Sequence, residues 1–100
     1  MPAAEGTRGE RALRPLWRAV VSLRDEEQCR AFFTDLCTVW ELEAMAQRLE
    51  VARLLFGGAT YEEVAAATGA SSATISRVKR FLLHGSGGYR DVLTGEGERP

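Results

Sequence analysis

Apolar residues recur along this chain at the three- and four-residue steps of a helix, and no stretch alternates strictly as a half-buried strand would. The first stripe is Leu13, Leu16, Trp17, Val20 and Leu23. Proline is comfortable in a first turn and costly deeper in a helix, so Pro15 predicts a start near Leu13 or Arg14, with Trp17 in the core. Asp25-Glu26-Glu27-Gln28 opens a second helix with a capping oxygen and a first turn of acids, and leads a stripe of Cys29, Phe32, Phe33, Leu36 and Cys37. Its adjacent aromatics predict heavy burial. Thr38 to Glu41 reads as a capping box for a third helix that ends at Phe56, before Gly57-Gly58, with Leu42, Met45, Ala46, Leu49, Ala52 and Phe56 on one face. This is the longest element and the expected central strut; Trp40, in its first turn, is expected at a subunit interface or partly exposed.

A second capping box, Thr60 to Glu63, starts a fourth helix that runs from Tyr61 to Ala67 or Thr68. A fifth follows, capped by Ser71 or Ser72 and reaching His84, with Gly85 closing it. The run GSGG to Gly88 predicts a flexible joint, and Tyr89 to Leu93 a short last helix. Residues 1–9 and the tail 95–100 are small and polar and are expected to be disordered, which leaves one domain over 10–94. The fold class is all-α.

The stretch YEEVAAATGASSATISRVKR, Tyr61 to Arg80, meets the needs of two short helices crossing steeply, a helix-turn-helix over 61–84. Ala65 is small where the helices touch, and Gly69 tolerates the positive φ of the turn. Val64, Thr68, Ala70, Ile75 and Val78 are apolar or small where the unit must face inward. What is left points outward: Ser71, Ser72, Ala73, Thr74 and Ser76 near the front of the second helix, Arg77, Lys79 and Arg80 towards its back. Short side chains let a helix enter a major groove about 12 Å wide, hydroxyls and methyls touch base edges, and arginine reaches guanine or phosphate. The free N–H groups of Ser72 and Ala73 can also meet a phosphate. A tight corner in a helical bundle would account for the glycine, but not for the acid-free basic surface.

Charge sharpens this. The net charge is −1, which alone argues mildly against nucleic acid. Yet Val64 to Arg90 holds Arg77, Lys79, Arg80 and Arg90 and no Asp or Glu, while acids crowd the stretch before it. The local field matters more than the sum. At 45% apolar and 27% charged residues, the composition is that of an ordinary globular chain. A monomer of this size buries only about 60–68% of its unfolded surface, so a partner subunit would help. No apolar run could cross a membrane, and no secretory signal opens the chain, so a cytoplasmic protein is expected.

Cys29 and Cys37 stand about 12 Å apart along one helix, too far to pair, and read as buried thiols. With one histidine, His84, and no Cys-x-x-Cys, no metal site is expected. No nucleophile has a base beside it, and no glycine loop cradles phosphate, so no catalytic residue is assigned and an enzyme is not expected.

The blocks LCTVWE, QRLEVARLL and TGASSATISRVKR, within Asp35 to Arg80, resemble the Trp repressor superfamily, and especially its bacterial YerC/YecD-type members. The resemblance implies a six-helix chain forming an intertwined homodimer, whose two recognition helices lie one duplex turn, about 34 Å, apart on a palindromic operator of double-stranded DNA. In the Trp repressor, whose water-mediated base contacts are an established example, one side chain does not translate simply into one base. Two arginines sandwich the indole of L-tryptophan in that repressor, and the resemblance places Arg48 and Arg77 in those roles. Two departures disfavour L-tryptophan here: Val78 replaces a glycine beside the pocket and Phe81 a serine near the ligand's amino group. No cofactor is therefore expected, and Arg48 is read as a surface or dimer-interface cation. The function expected is a dimeric DNA-binding regulator, a repressor; the alternative is a protein-interaction module using the same helices without specific DNA binding.

Overall fold

The computed structural model describes residues 7–98, all helix and connection. Six helices follow in order: α1 (Arg8–Val21), α2 (Glu26–Leu36), α3 (Val39–Phe56), α4 (Tyr61–Thr68), α5 (Ser72–His84) and α6 (Gly88–Glu98). The ends expected to be disordered fall partly outside the described residues, at 1–6 and 99–100. Inside them, Thr7 caps α1 and Gly95 to Glu98 continue α6.

The chain divides after Thr38 into two units. In the first, α1 begins at Arg8, ahead of the Leu13 or Arg14 expected from Pro15. The Thr7 side chain takes the Glu10 N–H, a complete cap that moves the start forward and leaves Pro15 inside the helix, where it supplies no N–H. Asp25 caps α2 as predicted, receiving the Gln28 N–H at 2.8 Å, while the Gln28 side chain accepts from the Arg24 N–H. Neither α1 nor α2 buries a residue. Trp17, expected in the core, is 56% exposed. Phe32 and Phe33 are half-buried and meet edge to face, with centroids 5.4 Å apart. Cys29 and Cys37 are free thiols of intermediate exposure rather than buried.

In the second unit α3 packs against α4, α5 and α6. The core is Val51, Ala52, Val64, Ala70, Ile75, Val78, Leu82 and Leu93, with Leu54, Leu55, Ala65 and Tyr89 packed around it. This corrects the expected face of α3. Ala52 of the predicted stripe is buried, but Val51, outside that stripe, turns inward with it, whereas Met45, Leu49 and Phe56 of the stripe stay exposed. The helix is apolar on more than one side, so the pattern alone could not say which side this unit covers.

Candidate nucleic-acid interface

The two helices of the predicted motif are built from local signals. Thr60 and Glu63 form the reciprocal capping box that starts α4: the Thr60 oxygen takes the Glu63 N–H at 3.1 Å and the Glu63 carboxylate takes the Thr60 N–H at 2.8 Å. Gly69 ends α4 with φ 70° and ψ 8°, its N–H returning to the Ala65 carbonyl. Thr68 secures the turn from within, its hydroxyl donating to the Val64 carbonyl at 2.8 Å and accepting the Ala70 N–H at 3.1 Å. From α3, the Gln47 amide donates to the Thr68 carbonyl at 3.1 Å. Ser71 then caps α5 by accepting the Thr74 N–H.

The inward positions behave as the spacing requires. Val64, Ala70, Ile75 and Val78 are buried and Thr68 is half-buried; Leu82 extends the same stripe. Val78 belongs to this core.

On the other side of α5, Ser71, Ser72, Ala73, Ser76, Arg77, Lys79 and Arg80 are exposed. Thr74 is half-buried, and its hydroxyl accepts from Ser71, so it serves the cap. Because Ser71 satisfies the N–H of Thr74, those of Ser72 and Ala73 are the donors left at the front of the helix. Ala73, Ser76, Arg77 and Arg80 line a shallow hollow of about 340 Å³. None of Arg77, Lys79 and Arg80 joins an ion pair among the described residues, whereas Arg30 pairs with Glu26 and Arg53 with Glu50. The cations at the back of α5 therefore face solvent with their charge uncompensated at close range.

The remaining candidates are placed differently. Arg48 is half-buried on α3, and no hydrogen bond or ring contact ties it to Arg77. The Arg77 guanidinium lies instead over the Phe81 ring, 5.2 Å from its centroid, and Arg80 lies at the same distance from the same ring. Arg90 turns back to donate from Nε to the Leu82 carbonyl at 3.1 Å. Phe81 also lines an apolar hollow of about 570 Å³ with Leu49, Ser86, Gly88, Tyr89 and Val92. Sequence reasoning missed Phe81 as part of this surface. The signal was there, since Arg77 precedes it by four residues and helical neighbours at that spacing meet.

Comparison with known proteins agrees with this architecture. The chain matches the family model described as Trp repressor protein over residues 11–96. It is 53% identical over 78 residues to the uncharacterized protein YerC of Bacillus subtilis, a match spanning 78% of this chain and 75% of that one. Among solved structures, a candidate Trp repressor from Staphylococcus aureus superposes with a TM-score of 0.84 at 39% identity, over 99% of this chain and 97% of that one. A TrpR-like protein from Eubacterium eligens gives 0.83 at 42% identity, over 90% of this chain and 93% of its own.

Proposed function

This chain belongs to the Trp repressor family, a family of helix-turn-helix regulators, and from that premise we propose that it is a sequence-specific DNA-binding regulator, a repressor that occupies a palindromic operator as a homodimer. One observation carries the reading: the outward face of α5 presents small residues in front and, behind them, three exposed cations that pair with no acid among the described residues. A groove-entering helix needs that order, because bulk at the front would hold it off the bases while charge at the back meets phosphate.

The dimer is supported by what each unit leaves uncovered. In the first, the apolar residues Leu13, Trp17, Val21 and Leu36 are exposed; in the second, so are Val39, Trp40, Met45, Leu49 and Phe56. Exposed apolar surface on this scale marks an interaction face. A second copy is the occupant proposed, and it would give two recognition helices on one duplex. No helix among the described residues is long and apolar enough to cross a membrane, and the proposed place of action is the bacterial cytoplasm.

L-tryptophan is left out of the proposal. Val78 fills the core rather than opening a pocket, and Arg77 is engaged by Phe81.

The test is selection of bound fragments from random duplex DNA, with and without L-tryptophan, followed by titration of the winning site. With three or four phosphates met per subunit, log affinity should fall against log salt with a slope of roughly −5 to −7. The double substitution Arg77→Ala and Arg80→Ala should abolish retardation at physiological salt, leaving only weak binding at low salt, while the circular dichroism spectrum stays that of a folded helical protein. Undiminished affinity in that variant would overturn the assignment of α5.

A further inference from the structure

Two guanidinium groups of the interface share a single aromatic ring, and that ring is not itself a cation, a hydroxyl or a groove-facing methyl. Arg77 and Arg80 each lie 5.2 Å from the Phe81 centroid, inside the roughly 6 Å over which an aromatic face attracts a cation. Phe81 is 42% exposed, so the ring stands at the surface where the arginines are. We propose that Phe81 is a positioning residue for DNA binding: its ring holds Arg77 and Arg80 in the orientation that meets the duplex, before the duplex arrives. This rests on the DNA-binding reading and names a residue that reading does not contain.

The physical reason lies in the freedom of arginine. Each free arginine side chain carries about 2 kcal/mol of rotamer entropy, and a contact that needs one fixed geometry must remove part of it. Phenylalanine has two side-chain torsions and loses little when placed. The backbone beneath it is fixed as well, because the Phe81 carbonyl accepts the Gly85 N–H at 2.9 Å where α5 closes. A stiff ring on a closed helical turn is therefore a suitable template for two flexible cations. A guanidinium attracted to a ring face keeps N–H groups free, so the arginines retain donors for phosphate or guanine. Preorganisation of this kind strengthens binding by lowering the ordering cost, without a new contact to the ligand.

The purified full-length protein is titrated with its selected duplex at fixed salt, comparing Phe81→Leu, which keeps apolar bulk but has no ring face, with Phe81→Tyr, which keeps the face. Expected is a loss of roughly tenfold for Phe81→Leu, given two cations over one ring in each subunit, and affinity within about twofold of the parent for Phe81→Tyr. The salt slope should stay unchanged, because the phosphates met are the same. If Phe81→Leu does not fold by circular dichroism, Phe81→Met replaces it. The readout that a merely structural role would not reproduce is the cycle with the arginines: with Arg77 and Arg80 both replaced by Ala, Phe81→Leu should change the residual binding, read at low salt, no further. Parent-like affinity of Phe81→Leu beside a weakened double-arginine variant would overturn the positioning role and leave the DNA reading standing. An equal loss from Phe81→Leu in the arginine-free background would overturn it too. Full affinity of the double-arginine variant itself would sink the DNA reading, and the role of Phe81 with it.

Discussion

Adding one methyl group should push stability in opposite directions at two glycines twelve residues apart. Gly69 holds φ 70° at the turn between α4 and α5, and a Cβ built there meets nothing within 4 Å. Gly69→Ala therefore creates no clash, and its whole effect is conformational. An L-residue in the left-handed region costs roughly 1–2 kcal/mol, offset by about 0.4–1 kcal/mol because alanine has less freedom to lose from the unfolded chain. The net is a destabilisation of about 1 kcal/mol, or a fall in Tm of roughly 4–8 °C for a domain of this size. Gly69→Asn should lose less, since asparagine visits that region more readily. Gly57, at the end of α3, is not among the glycines of positive φ, and a Cβ there would lie 3.5 Å from the Arg53 carbonyl oxygen, an ordinary contact. Gly57→Ala keeps the entropic gain without the strain, and should raise stability by about 0.4–1 kcal/mol. Thermal melts followed by far-ultraviolet circular dichroism decide it, all at one protein concentration because subunit association adds its own concentration-dependent term. A Gly69→Ala variant melting at or above the parent would refute the reasoning, as would an equal loss at both positions.

Two further outcomes are expected. Ile75 is 1% exposed at the centre of the second unit, so Ile75→Ala should cost about 2–5 kcal/mol in urea denaturation; a loss under about 1 kcal/mol would mean that α5 is not seated on this core. Trp40 is 82% exposed, so if a second copy covers it, the tryptophan emission should move to shorter wavelength as protein concentration rises, with a smaller shift in Trp40→Phe, where Trp17 alone reports. Sedimentation as a single chain at the highest concentration, with unshifted emission, would contradict the dimer.

The elements that position the interface were legible because their signals are local. Thr60 with Glu63, Gly69 and Ser71 each satisfy or release backbone groups within a few residues, so sequence spacing is enough to place them. Inward residues such as Val64 and Ile75 follow from the same helical period. Where the reading failed, the deciding partner was distant or the local signals competed. Pro15 suggested a late start, and the Thr7 cap prevailed. The apolar residues of α3 surround the helix, so its core-facing side depends on which helices pack against it, which no window of α3 contains. From the sequence Phe81 reads as a residue that removes a polar partner, and the contacts of its ring with Arg77 and Arg80 depend on rotamers that spacing permits without dictating.

The glycine-rich link after α5 looks like a hinge on paper, yet the Arg90 guanidinium spans it as a strap, anchored on the Leu82 carbonyl one residue beyond the carbonyl that Gly85 itself engages. With Gln47 fastening the front helix of the motif to α3 in the same fashion, the helix-turn-helix is lashed to its neighbours fore and aft. If it docks on a duplex as proposed, it should consequently ride as a fixed tool rather than swivel, so that any accommodation to a curved or overwound target would fall to the nucleic acid instead of the protein.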